Sequence, residues 1–221
     1  ILKGAGRAFC TGHNLKKVGF VYGFGTGQPG EQRPSQRVRL KMDRDEHEGF
    51  RSIFLCPKLT IAQVHGYCLE AGMIIALLCD FIIAAEDALL GFPGQRLGLA
   101  GGAEHTFGHL AMTIGLKRSL DLYITGRKVS GKEAAEIGLV TRAVPADKLE
   151  EEVSKLAQGL CLLPRDGIAI GKATRHLFYD RMGFTDAFAY GYITHALFTN
   201  LQHEPGEFNF FRERREKGAK A

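Results

Sequence analysis

Lys58-Leu59-Thr60-Ile61-Ala62-Gln63-Val64-His65-Gly66-Tyr67-Cys68-Leu69-Glu70-Ala71-Gly72-Met73-Ile74-Ile75-Ala76-Leu77-Leu78-Cys79-Asp80 is the stretch on which the fold turns. Leu59 to Val64 has the β-branched content of a buried strand, and His65-Gly66 breaks it. A helix is expected from Gly72, and because Met73 to Cys79 is apolar on every side, that helix is surrounded by core. Asp80 ends it before a second apolar strand, Phe81 to Ala84. Strand and helix alternate, which predicts an α/β arrangement whose strand ends and helix starts face a ligand.

The 221 residues are 45% hydrophobic and 24% charged, the balance of one sizeable core. Gln63, His65, Glu70 and Asp80 interrupt the longest apolar run, Ile61 to Ala85, so a membrane span is excluded there. The chain opens Ile1-Leu2 without Met or a secretory leader, which reads as a chain lacking its natural beginning. Cys10, Cys56, Cys68, Cys79 and Cys161 are odd in number and lack C-x-x-C spacing. Neither a disulfide framework nor a metal site is signalled, and a reducing compartment such as the cytoplasm is expected. The net charge of +5 fits an anionic partner, either nucleic acid or a phosphate-rich ligand. Part of it lies in the run Arg212, Arg214, Arg215, Lys217 and Lys220, which lacks the interleaved aromatics of single-strand binders.

Gly19 to Asp45 shows no hydrophobic period and is expected to be a long surface loop. Within it Gly25-Thr26-Gly27-Gln28-Pro29-Gly30 matches G-x-G-x-x-G, but no strand leads in and no apolar helix leads out, so a dinucleotide site is disfavoured. Further along, Ser130-Gly131-Lys132-Glu133 is a capping box, and Gly138 stops the helix it begins. Leu139 to Val144 reads as a strand, and helices are expected over Leu149 to Leu160, Ile168 to Tyr179 and Phe184 to Leu201.

Two segments together resemble the paired signature of the enoyl-CoA hydratase/isomerase, or crotonase, superfamily. Gly4-Ala5-Gly6-Arg7-Ala8-Phe9-Cys10-Thr11-Gly12-His13-Asn14-Leu15 is similar to its first oxyanion-hole loop, and Lys58 to Asp80 to its second strand, loop and helix. Thr125-Gly126-Arg127 with Ala134, Ala135, Gly138, Leu139 and Val140 resembles a later family stretch. The resemblance covers Ile1 to about Tyr179 and leaves the family's preceding strands, which carry part of the CoA adenine site, unmatched. It implies a crotonase-like ββα spiral core over residues 1–145 and a C-terminal helical trimerisation region over 146–221. A homotrimer or homohexamer follows, with an acyl-CoA thioester as partner, no membrane, and no cofactor beyond the CoA of the substrate.

Carried over by position, the oxyanion donors are the N–H of His13, after Gly12, and the N–H of Ala71, before Gly72; backbone donors suit a developing oxygen charge because they need no reorganisation. Phe92 and Gly94, in Leu90-Gly91-Phe92-Pro93-Gly94, fall at the substrate. The family's hydratases carry two glutamates that handle water, and the matching positions here are Ile74 and Gly94. Neither side chain can move a proton. Isomerase, decarboxylase or hydrolase chemistry is therefore expected, with Glu104 as first choice of acid/base, His105 beside it, and His13 near the thioester. Glu70 stands with His13 behind Glu104 and His105 as a further replacement for the missing carboxylates, although a single glutamate here is expected to face solvent rather than substrate. The alternatives are a catalytically inactive subunit and an RNA-binding protein on the same fold.

Overall fold

The computed structural model describes residues 1–14, 32, 34–94, 104–198 and 204–207. Four strands form one parallel sheet: β1 (Leu2–Lys3), β2 (Ile61–Val64), β4 (Phe81–Ala85) and β7 (Arg142–Val144), in that order. Ile61 pairs with Phe81, and Ile83 with Arg142. Three strands of three residues each form a second sheet, in which β3 (Tyr67–Leu69) runs parallel to β5 (Leu89–Gly91) and β6 (Lys128–Ser130) antiparallel to β5. After β2 and again after β4 the chain turns a corner and adds a short strand to the second sheet before entering a helix. β2, β3 and α2 (Ala71–Leu77) make one such unit; β4, β5 and α3 (Glu104–Ile114) make the next. A parallel bridge between Cys10 and Cys68 places residues after β1 in the corresponding position of the preceding turn. This is a ββα spiral, as the resemblance implies.

The core between the sheets and helices is aliphatic, with Val64, Met73, Ile83, Leu90 and Val129 fully buried. The two central strands, β2 and β4, are nearly continuous in buried residues, because both of their faces are covered. α4 (Leu116–Thr125), α5 (Gly131–Glu136), α6 (Leu149–Cys161), α7 (Arg165–Arg181) and α8 (Phe184–Phe198) complete the chain, with α1 (Gln36–Phe54) preceding β2. A smaller aromatic cluster of Phe54, Phe184 and Phe188 joins α1 to α8. No helix among the described residues is long and apolar enough to cross a membrane.

Three expectations change. Residues 36–45 belong to the 19-residue helix α1 rather than to a surface loop. The inward stripe of α1 begins with Arg39, Asp43 and His47, all buried, so its 3.6-residue period is carried by polar side chains that a hydrophobic pattern cannot reveal. The glycine fingerprint at 25–30 lies outside the described residues. Secondly, β3 intervenes between β2 and α2, with three residues too few to register as a pattern. Thirdly, the strand expected from Leu139 shortens to Arg142–Val144, because the N–H groups of Leu139 and Val140 return to Ala134 O at 2.8 and 3.3 Å to close α5. At the start of α5 the Ser130 hydroxyl accepts from Glu133 N at 3.1 Å, half of the expected capping box, while the Glu133 carboxylate accepts from Arg127 instead.

Candidate active site

Three backbone segments meet where β3 ends and α2 begins. Phe9 N–H donates to His65 O (2.9 Å) and Cys10 N–H to Tyr67 O (3.1 Å), while Leu69 N–H donates to Cys10 O (2.9 Å). The first loop is thus stitched to β3 up to Cys10. It then turns through Gly12 at φ +96°, a conformation that favours glycine, and delivers His13 beside the second loop. On the second loop Gly72 lies flat against Cys10, where a Cβ would come within 2.5 Å of Cys10 O. The third segment is Phe92-Pro93-Gly94, tied in by Glu70 N–H to Gly91 O (3.2 Å) and by the Gly94 N–H, which donates to the Glu70 carboxylate. Among the described residues, neither the His13 nor the Ala71 N–H has a hydrogen-bond acceptor.

Side chains surround this junction from an unexpected direction. His13 Nε2 is hydrogen-bonded to Glu46 Oε1, from α1. One turn back, Asp43 is held by Arg39 Nη2, 2.9 Å from each carboxylate oxygen, and His195 Nδ1 of α8 lies 3.2 Å from it. His47 Nδ1 bonds Asp43 O at 2.8 Å, and the His47 and His195 rings lie 6.0 Å apart. Asp43, Glu46 and His195 bring one ligand atom each within 4.8 Å of one another, close enough for a cation. Arg39 already supplies a positive charge at Asp43.

This network sets the protonation of His13. The Glu46 hydrogen bond raises the His13 pKa above its ordinary 6.5, against the opposing effect of burial. For Glu46, burial acts upward, but the His13 bond and the neighbouring histidines outweigh it and bring the carboxyl below 4.5. Burial pushes Glu70 up from 4.5, only partly offset by Gly94 N–H and His13, and burial lowers His47. A raised histidine stabilises the fold fully below pH 6.5 and loses that contribution as pH rises through its folded value; a lowered carboxylate contributes above 4.5 and loses it as pH falls. The His13–Glu46 pair is thus most stabilising between about pH 4.5 and 6.5. Thermal melts of the wild type and His13→Gln across pH 5 to 9 are expected to show the wild-type advantage shrinking as pH rises; a constant difference contradicts the ion pair.

Of the residues singled out from sequence, Gly12, His13, Ala71, Gly72 and Gly94 come together at this junction. Phe92 is in the core, 3% exposed, with its ring 5.1 Å from that of Tyr123. Glu104 and His105 open α3, and their side chains lie outside the described residues. Ile74 is half-buried and packs between the two apolar clusters. Glu70, expected to face solvent, instead turns inward, because Gly12 and Gly94 leave the space its side chain fills. Sequence reading also missed Glu46, Asp43, His47 and His195; the Arg39/Asp43/His47 spacing of four was the available signal.

The enoyl-CoA hydratase/isomerase family model matches residues 1–216. A Mycobacterium tuberculosis protein whose name assigns it to the enoyl-CoA hydratases is 32% identical over 199 residues, 85% of this chain and 61% of its own. The mitochondrial enoyl-CoA hydratase domain-containing protein 3 of Rattus norvegicus is 28% identical over 207 residues, 94% and 63% of the two chains. The chain thus spans less than two thirds of the length of both relatives. Among solved structures, an enoyl-CoA hydratase of Mycobacterium smegmatis superposes with a TM-score of 0.77 at 26% identity, over 98% of this chain and 73% of that one. An enoyl-CoA hydratase/isomerase of Xanthobacter autotrophicus Py2 gives 0.79 at 26% identity, over 99% and 76%. With its ββα spiral and the two loops joined as the signature requires, the chain belongs to the enoyl-CoA hydratase/isomerase family.

Proposed function

We propose that this chain binds an acyl-CoA thioester with the carbonyl oxygen between the N–H groups of His13 and Ala71, and that it uses them to stabilise an enolate or oxyanion. The observation that carries this reading is the pair of N–H groups without acceptors among the described residues, on two loops locked together at Cys10 and Gly72. Donors fixed before the reaction act without reorganisation, which makes such a pair worth several orders of magnitude in rate. The substrate's CoA is the sole cofactor required by this chemistry. Residues 1–145 hold the site. Residues 146–221 supply helices whose exposed apolar side chains, Ile170, Leu177 and Phe178 on α7, support assembly into a homotrimer or homohexamer.

Ile74 and Gly94 stand where paired glutamates would activate water, and this favours isomerase, decarboxylase or hydrolase chemistry over hydration. The acid/base then comes from elsewhere: the candidates are Glu104 and His105 at the start of α3, and Glu70, whose carboxylate turns into the junction. Crotonyl-CoA hydration is expected to be slow or undetectable by loss of the enoyl absorbance, while calorimetry still shows binding of the thioester. Rapid hydration contradicts this reading. Absence of thioester binding favours a nonenzymatic role on the same fold.

A further inference from the structure

Among the described residues, Glu70 is the one non-glycine residue with positive φ (φ 51°, ψ −119°). Such a backbone costs about 1–3 kcal/mol and persists only where its surroundings impose it. Here the surroundings are specific to the carboxylate. Gly94 N–H donates to Oε1, and the two glycines facing Glu70 are the ones whose side chains would collide with it. A Cβ on Gly12 would come within 2.9 Å of Glu70 Cβ, and one on Gly94 within 2.9 Å of Oε1. The Glu70 stem is therefore seated against Gly12, which precedes the His13 N–H, its carboxylate against Gly94, and Glu70 itself precedes the Ala71 N–H.

We infer that Glu70 is the catalytic base and acid that removes and returns the proton α to the thioester carbonyl. This deepens the acyl-CoA reading and rests on it. In the step, the α C–H bond breaks and its electron pair becomes the C=C of the enolate. The carbonyl π pair moves onto the thioester oxygen, held by His13 and Ala71 N–H, and the proton passes to a Glu70 oxygen. Return of that proton to the α-carbon regenerates the thioester, and its replacement on Glu70 by a solvent deuteron before return gives exchange; in an enoyl thioester that has lost a γ-proton in the same way, delivery at the α-carbon shifts the double bond. Burial, which raises the Glu70 pKa, makes the carboxylate a stronger base than one in water. Gly94 N–H leaves the second oxygen, Oε2, for the substrate.

The test is solvent exchange of the α-hydrogens of butyryl-CoA in D2O, followed by proton NMR, with affinity measured in parallel by calorimetry. Wild-type protein is expected to exchange them. Glu70→Gln, which keeps the shape and an acceptor for Gly94 N–H, is expected to lose roughly 100-fold or more in exchange while its Kd stays within about threefold. Glu70→Gly guards against a purely structural explanation: relief of the backbone strain should make it melt higher than Glu70→Gln, yet leave it equally unable to exchange. Exchange by Glu70→Gln at the wild-type rate overturns the assignment, as does binding of butyryl-CoA by the wild type without exchange. Loss confined to Glu104→Gln or His105→Asn moves the role to α3 and likewise overturns it. Failure of the wild type to bind butyryl-CoA at all overturns the acyl-CoA reading on which the assignment rests, and is distinguished from the other outcomes by the calorimetry.

Discussion

Gly72→Ala is expected to lower turnover on the native acyl-CoA by about 100-fold or more, with a stability loss of roughly 1–3 kcal/mol. An added Cβ would sit 2.5 Å from Cys10 O, 2.9 Å from Cys10 Cβ and 3.1 Å from Cys10 C. These atoms cannot yield cheaply, because Cys10 is bonded on both sides to β3, through Tyr67 O at 3.1 Å and Leu69 N at 2.9 Å. Either those bonds break or α2 moves away, taking the Ala71 N–H with it. The two donors then separate by a good fraction of an ångström, and oxyanion stabilisation depends on geometry at that scale. Steady-state kinetics and a thermal melt check both parts. A variant that folds, with kcat and Tm unchanged, shows that the two loops are not locked as described.

Lys172→Met is expected to cost about 3 kcal/mol, lowering Tm by roughly 6–12 °C for a domain of this size. The Lys172 ammonium, with its side chain 3% exposed, donates to Asp80 Oδ2 at 2.6 Å and to Lys58 O at 2.8 Å. Asp80 Oδ2 also accepts from Thr60 N (2.7 Å) and Thr60 Oγ1 (2.9 Å). One lysine therefore pins α7 to the ends of β2 and α2. Its removal leaves a carboxylate only 19% exposed without its cation, and the lone partner accounts for most of the loss. The double variant Lys172→Met/Asp80→Asn should recover part of it. A single-variant cost below about 1 kcal/mol, measured by urea denaturation, contradicts this account of the anchor.

The parts of the fold that sequence made legible are those where side-chain chemistry and local geometry agree. Ile61 to Val64 is apolar apart from Gln63, with β-branched residues at both ends, because both faces of β2 are covered, and Ala71 to Leu77 is apolar all round because α2 is packed inside. Ser130, whose hydroxyl accepts from Glu133 N–H, and Gly138, with its positive φ, mark the ends of α5. Reading failed where the buried face is polar. Arg39, Asp43 and His47 turn inward because Arg39 pairs with Asp43, His195 Nδ1 of α8 lies 3.2 Å from the same carboxylate and Asp43 O partners His47, and no single element displays that arrangement. Glu70 failed for a related reason: a glutamate alone belongs in water, and it is the absence of side chains at Gly12 and Gly94, 58 and 24 residues away, that admits it. Lys172 carried no signal at all, since its partners at Lys58 and Asp80 lie on other elements.

The His13 and Ala71 donors are the centre of the account, and a crystal structure with butyryl-CoA bound tests them most directly. The account predicts the thioester oxygen about 2.7–3.1 Å from both backbone nitrogens, in line with both N–H bonds. A thioester oxygen that reaches neither nitrogen, or an Ala71 or His13 N–H already bonded to another group of the protein, contradicts it.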